Sequence, residues 1–236
     1  MTNVLLYILL ALLACMIMYG KLYDWSRVFE TDKNRSGNLK ALALENGMVY
    51  FEDDDFFRKS LIRNRAAYRK RDAKVKNLLT RQHPTGRSVI FDYAYYTEKK
   101  KRLAFEMTGV HIEFQSAHFP EIKILQTPHV GWLRISETKN LAEISHDQLP
   151  YWLPNSVTVR THLGEVHTAV KLIEENKMLQ KIINQPDFES AFFHDNTVTC
   201  YYKTKYAADV FDYARMMQHI NNLLRLKPIE LENFVI

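Results

Sequence analysis

The chain has 236 residues, 47% of them apolar, and a formal net charge of +5. That is enough to build one medium domain or two small ones around a real core, and it excludes a disordered polymer. The two cysteines, Cys15 and Cys200, fall in an apolar N-terminus and a predicted strand, so no disulfide framework is indicated. No CxxC, HxH or HExxH spacing occurs, and the sequence calls for no metal and no cofactor.

Val4 to Tyr19 carries no charge, and with Asn3 and Gly20 it spans about 27 Å at roughly 1.5 Å per helical residue. Residues 1–20 are therefore expected to form one transmembrane helix. A cleaved signal peptide has a basic start, which "MTN" lacks. "LLAC" ending at Cys15 has the form of a lipoprotein cleavage box, yet the apolar run continues through "MIMY", and retention as an anchor is the reading preferred. No Lys or Arg precedes the span, whereas Lys21, Arg27, Lys33, Arg35 and Lys40 follow it. The charge asymmetry predicts an inner-membrane protein with its N-terminus outside and its C-terminal domain in the cytoplasm.

Residues 21–52 read as a juxtamembrane linker and a short helix. Tyr19, Tyr23 and Trp25 suit the headgroup layer, "LKALALEN" followed by Gly47 has the form of a helix with its glycine stop, and "MVYF" reads as a strand. Residues 58–81 carry ten basic residues against the single acid Asp72. Leu61, Tyr68 and Val75 recur at sevens near Phe57, Leu78 and Leu79, so residues 53–83 are expected to form a basic helix with a narrow apolar seam. Its candidate lipid- or partner-binding residues are Arg63, Arg65, Arg69, Lys70, Arg71 and Lys74. Each Lys or Arg near an anionic membrane surface contributes about 1 kcal/mol. A nucleic-acid role would require glycine-rich and aromatic signatures that are absent, so nucleic acid is not expected as a partner.

An α+β domain is expected over residues 84–228, with 229–236 as a tail. Val89, Phe91, Tyr93 and Tyr95 share one face by the two-residue period, as do Leu103, Phe105 and Met107 on the return strand. The apolar parity then flips to Val110, Ile112 and Phe114, which predicts a β-bulge at Gly109. Asp92 falls on the opposite face in parity with Arg102 and Glu106, as a member of a polar cross-strand ladder. "FPEIKI" and the residues after it offer further strands. Ser145, His146 and Asp147 are sequence neighbours that point in different directions, which a catalytic triad cannot use. Ser145 with Gln148 fits a capping box instead. "SVTVRTHL" reads as a strand, Glu165 to Ile183 as a helix, and "FESAFF" with "TVTCYYK" as a hairpin turning at His194, Asp195 and Asn196. The closing helix, 205–225, places Tyr206, Val210, Tyr213, Ala214, Met217, Ile220 and Leu224 on one side. The sheet is expected to be antiparallel and covered by these helices.

"NLLTRQHPTGRSVIFDYAYYT" resembles the "N-L-x-G…V-x-x-F-D-Y-x-Y" core of a widespread group of bacterial membrane-anchored proteins whose domain has no assigned function. The likeness runs over residues 38–226, with the basic segment inserted before "NLL" and no glycine after it. It implies a layout and no chemistry. The expectation is a non-enzymatic interaction or scaffold module at the membrane, with membrane lipid and other membrane proteins as partners. The alternative is a membrane-associated hydrolase, for which His111, His118, His129, His162 and His167 are the raw material without a spacing that selects a pair.

Overall fold

The computed structural model describes residues 34–63, 73–96, 103–126, 140–203 and 210–226. No helix among them is long and apolar enough to cross a membrane. The expected anchor, residues 1–20, lies outside the described residues, as do residues 21–33.

Residues 34–45 are helical (α1). The helix ends as its glycine predicts: Gly47 takes φ +63°, Met48 N–H donates to Ala43 C=O at 2.8 Å and Gly47 N–H to Leu44 C=O at 3.4 Å. These paired bonds satisfy carbonyls that the helix leaves open. Strand β1 (Val49–Asp53) follows, then helix α2 (Asp55–Arg63), whose first turn is capped by Asp54 accepting from Phe57 N–H at 2.9 Å. Strands β2 (Ala73–His83), β3 (Gly86–Tyr96), β4 (Leu103–Phe114), β5 (Phe119–Gln126), β6 (Ala142–Glu143) and β7 (Val157–Thr161) come next. Helices α3 (Val166–Glu175) and α4 (Lys177–Ile183), strands β8 (Phe188–Asp195) and β9 (Thr197–Tyr202), and helix α5 (Val210–Leu224) complete the described chain.

All nine strands belong to one antiparallel sheet in the order β1-β2-β3-β4-β9-β8-β5-β7-β6. The α+β class and the antiparallel pairing are as expected. Residues 115–118 carry the chain from β4 to β5 across the tip of the β8–β9 hairpin, which sits between those two strands. The tip is tied to the crossing: Phe114 N–H donates to Asn196 C=O, Asn196 Nδ2 donates to Phe114 C=O, and His118 Nδ1 lies 2.8 Å from Asp195 Oδ1.

Both faces of the sheet are buried. On the back face, Ile90, Val110, Ile112, Ile122, Ile124, Val159 and Val198 meet Leu39 and Ala43 of α1, Leu172 and Ile173 of α3, Leu179 and Ile182 of α4, and Ile220 and Leu223 of α5. On the front face, Phe57 and Leu61 of α2 pack with Val75, Val89, Phe91, Tyr93, Met107 and Tyr201. This two-sided burial explains the parity change in β4 without a bulge. Pairing runs unbroken from Gly86↔Phe114 to Tyr95↔Phe105, so the bulge expected at Gly109 is absent. Met107, Gly109 and His111 face front while Val110 and Ile112 face back, and both sets are buried. Gly109 is small because the Phe91 ring occupies its side-chain space: a Cβ there would collide with Phe91 Cζ.

The expected basic helix over 53–83 is corrected. Helix α2 is described over Asp55–Arg63, and residues 73–83 are a strand paired on both sides, so the domain starts well before residue 84. Leu61 and Val75, which gave the seven-residue period, are buried together in one cluster but from two different elements. Lys74-Val75-Lys76 alternates exposed, buried, exposed, a strand period, and pairing with two neighbours decides in its favour. The expected helix from Glu165 to Ile183 is broken at Asn176 (φ −94°, ψ 84°), whose Nδ2 donates to Leu172 C=O at 2.8 Å. In α5 the buried stripe is Met216, His219, Ile220 and Leu223, with Met217 half-buried and Ala214 exposed. Ser145 makes no capping bond to the short 3-10 helix His146–Gln148; its hydroxyl serves the Asp147 carboxylate.

Candidate functional site

Asp92 is the centre of a buried polar cluster that clamps α1 onto the sheet. The Arg35 guanidinium grips it bidentately, Nε to Oδ2 at 2.7 Å and Nη2 to Oδ1 at 2.6 Å. Asn77 Nδ2 donates to the same Oδ2 at 2.8 Å, and Asn77 Oδ1 accepts from Ser36 Oγ and Tyr50 OH, each at 2.7 Å. Arg35 is 8% exposed and Asp92 13%, so the pair is shielded from water on both sides. Asn77 reaches this position because β2 carries one extra residue between Lys76 and Leu79, a β-bulge in which Asn77 takes φ +53°. Asparagine tolerates that left-handed backbone better than most residues. Burial raises the Tyr50 pKa, against a smaller opposing effect of its bond to Ser36. The cluster holds no group poised as nucleophile or base. Its chemistry is that of a charge-assisted clamp.

Asp92 has a partner 57 residues away in sequence that the expected polar ladder did not include. Arg102 lies outside the described residues. One signal was present: Asn77 and Asp92 stand symmetrically about the Pro84-Thr85 turn, which places them on the two strands of one hairpin, although the bulge leaves Lys76 as the register partner of Asp92. Nothing in the spacing pointed to Arg35, Ser36 or Tyr50.

Of the basic residues singled out from the sequence, Arg63 is the last described residue of α2 and Lys74 is exposed near the start of β2. Arg65, Arg69, Lys70 and Arg71 lie outside the described residues. The strand registers nevertheless locate the points where that segment joins the fold. Ala73 opens β2 opposite Tyr95 near the end of β3, Tyr96 pairs with Leu103 at the start of β4, and Lys76 pairs with Asp92, which holds Arg35. The start of β2, the end of β3, the start of β4 and Arg35 of α1 therefore share one end of the sheet. Lys74 and Lys76 are exposed there. The sequence joining β3 to β4 adds Lys99, Lys100, Lys101 and Arg102.

The front face changes character across the sheet. Beyond β4, the registers align His111, Thr199, Phe192, Lys123 and Arg160 in one row. His111 Nδ1 lies 2.8 Å from Thr199 Oγ1, and burial, helped by Arg87, holds its pKa down to about 3. Lys123 Nζ sits 5.7 Å from the Phe192 ring centroid, and Arg160 pairs with Glu143 at 2.9 Å. His162 lies 3.0 Å from Glu121, and His219 stacks on Tyr202 at 3.9 Å. Each of these histidines has its own surroundings, and no group of three His, Cys, Asp or Glu among the described residues is placed to hold a metal. His129 lies outside the described residues, and His167 is exposed on α3. Burial raises the Cys200 pKa, which keeps that thiol protonated and inert.

Fold and clamp together define an antiparallel α+β domain whose first helix is pinned to the sheet by a buried ion pair. Among solved structures the chain is similar to the crystal structure of the mycobacterial trehalose monomycolate transport factor A, TtfA. The TM-score is 0.53 and the identity 13%, over 83% of this chain and 97% of that one. At that identity the likeness is one of fold alone. No protein-family model and no curated protein matches the sequence.

Proposed function

We propose that this chain is a single-pass, membrane-anchored interaction module without catalytic activity, its domain cytoplasmic and its basic end resting on anionic lipid. The observation that carries the reading is the polarity of the sheet. The end at which α1 is clamped, and so the end at which the chain arrives from its apolar N-terminus, is the end bearing Lys74 and Lys76. The basic segment with Arg65, Arg69, Lys70 and Arg71 joins the fold at the same end. The likeness to a transport factor supports the reading only as far as a shared fold does.

Vesicle binding tests it. A fragment of residues 21–236 is expected to bind vesicles containing anionic lipid and to leave neutral ones free, with binding lost as salt rises, since exposed charges are screened over about 8 Å at physiological ionic strength. Replacing Arg65, Arg69, Lys70 and Arg71 by Gln removes four charges. At about 1 kcal/mol each the affinity falls by more than a hundredfold. Unchanged binding in that variant sinks the lipid contact, and a C-terminal reporter active only outside the cytoplasm sinks the topology.

A further inference from the structure

The two edges of the sheet are built differently. At the β6 edge the strand is two residues long and Glu143 is engaged by Arg160, which leaves little for another strand to pair with. At the other edge β1 runs for five residues, pairs on one side with β2, and has no strand on its outer side among the described residues. An outer row of backbone N–H and C=O groups is a template for strand addition unless something guards it. β1 is also apolar where it is open: Val49 is 56% exposed and Phe51 42%, and Phe56 in the first turn of α2 beside it is 76% exposed.

The charges on the edge narrow its occupant. Glu52 and Asp53 are exposed on the strand itself, whereas Asp54 is used in capping α2 and Asp55 is paired with Arg58 and Lys59. A second copy pairing antiparallel about Phe51 would set Tyr50 against Glu52 and Val49 against Asp53, bringing four carboxylates onto two strands that contain no cation. Like charges across a strand pair are destabilising. We infer that the β1 edge is a docking site for an extended segment of another protein, added as a tenth strand, with apolar side chains against Val49 and Phe51 and Lys or Arg against Glu52 and Asp53. Main-chain hydrogen bonds hold such a segment, and the alternating side chains select it. Asp53 is the register partner of Lys76, so this surface adjoins the basic end, yet it does not depend on lipid contact.

Hydrogen exchange on the full chain in neutral nanodiscs tests the site, with a short synthetic Val/Lys peptide as probe, Val standing opposite Val49 and Phe51 and Lys opposite Glu52 and Asp53, and a Val/Glu peptide with Glu for each Lys as control. At about ten times its Kd the Val/Lys peptide slows exchange of the Val49–Asp53 amides about tenfold. The control leaves them unchanged, and high salt weakens the effect. Val49→Lys with Phe51→Lys changes two exposed side chains, keeps the fold, and removes the protection; the Gln variant of the basic segment retains it, which separates this site from the lipid reading. The inference is overturned if the Val/Lys peptide gives no protection at β1, if the Val/Glu peptide protects equally, or if the double Lys variant is still protected. Concentration-dependent self-association that protects β1 without peptide also overturns it, by giving the edge to a second copy.

Discussion

Arg35 and Asp92 illustrate how unevenly a buried ion pair responds to mutation. Each charge was taken out of water to make the contact, so removing one partner strands the other. Asp92→Ala is expected to cost about 3 to 5 kcal/mol in urea unfolding, and Arg35→Met with Asp92→Leu to recover much of it, because two apolar groups leave no charge behind. Equal stability of the single and double variants would show that the clamp contributes little. Protonation offers a second test at this scale. The pKa of His111 is held down to about 3 and that of His219 to about 4, both chiefly by burial, with Asp187 and Arg215 acting on His219 in opposite senses. Both are neutral in the fold, whereas in the unfolded chain they take up protons below about pH 6.5. Their contribution is therefore complete above about pH 6.5 and is lost as pH falls, toward about 3 for His111 and about 4 for His219, at about 1.4 kcal/mol per pH unit for each group. The urea midpoint should fall steadily over that window, and His219→Phe, which keeps the ring stack on Tyr202, should flatten part of the fall.

Elements show where pattern reading succeeds and where packing overrules it. Helix α1 was legible because its stop is local chemistry at Gly47, and the β3–β4 and β8–β9 hairpins because alternation and turn residues agree. Strand β2 was not, since a seven-residue coincidence of Leu61, Tyr68 and Val75 mimics a helix and only the two flanking strands decide against it. The parity change at Gly109 misled for a related reason: a strand buried on both faces has no single apolar parity to follow. Gly109→Ala is expected to cost about 1 to 3 kcal/mol by forcing the Phe91 ring aside, and Phe91→Leu in the same chain to relieve part of that cost. In α5 the buried stripe shares Ile220 with the sequence reading but runs through Met216 and Leu223 in place of Met217 and Leu224, so Met216→Ala should cost about 2 to 5 kcal/mol and Met217→Ala distinctly less. Equal losses at the two positions would mean the helix is rotated relative to this packing. The clamp was half legible, in the two polar residues of one hairpin, and its cationic partner was hidden because long-range contacts leave no local periodicity.

Across the whole molecule, the N-terminal and C-terminal parts of the chain are interleaved and not placed side by side. The pairing of β4 with β9 and of β5 with β8 means that the hairpin completing the centre of the sheet comes from far along the sequence. A chain ending at residue 186 keeps β1 to β7 yet leaves β4 and β5 with no neighbour between them. Such a fragment is expected to be insoluble alone and to recover strand content when residues 187–236 are supplied as a separate peptide. Recovery of a folded, monomeric fragment without the peptide would show that the two halves close on each other directly. The same insertion sets a delay during biosynthesis. Strand β5 ends at Gln126 and β9 at Tyr202, so at roughly 5 to 20 residues per second the ribosome needs about 4 to 15 s to deliver the missing hairpin. Through that interval the growing chain displays two raw sheet margins rich in Val, Ile and Phe, and its yield in the cell is governed by what shields them until the last strands arrive.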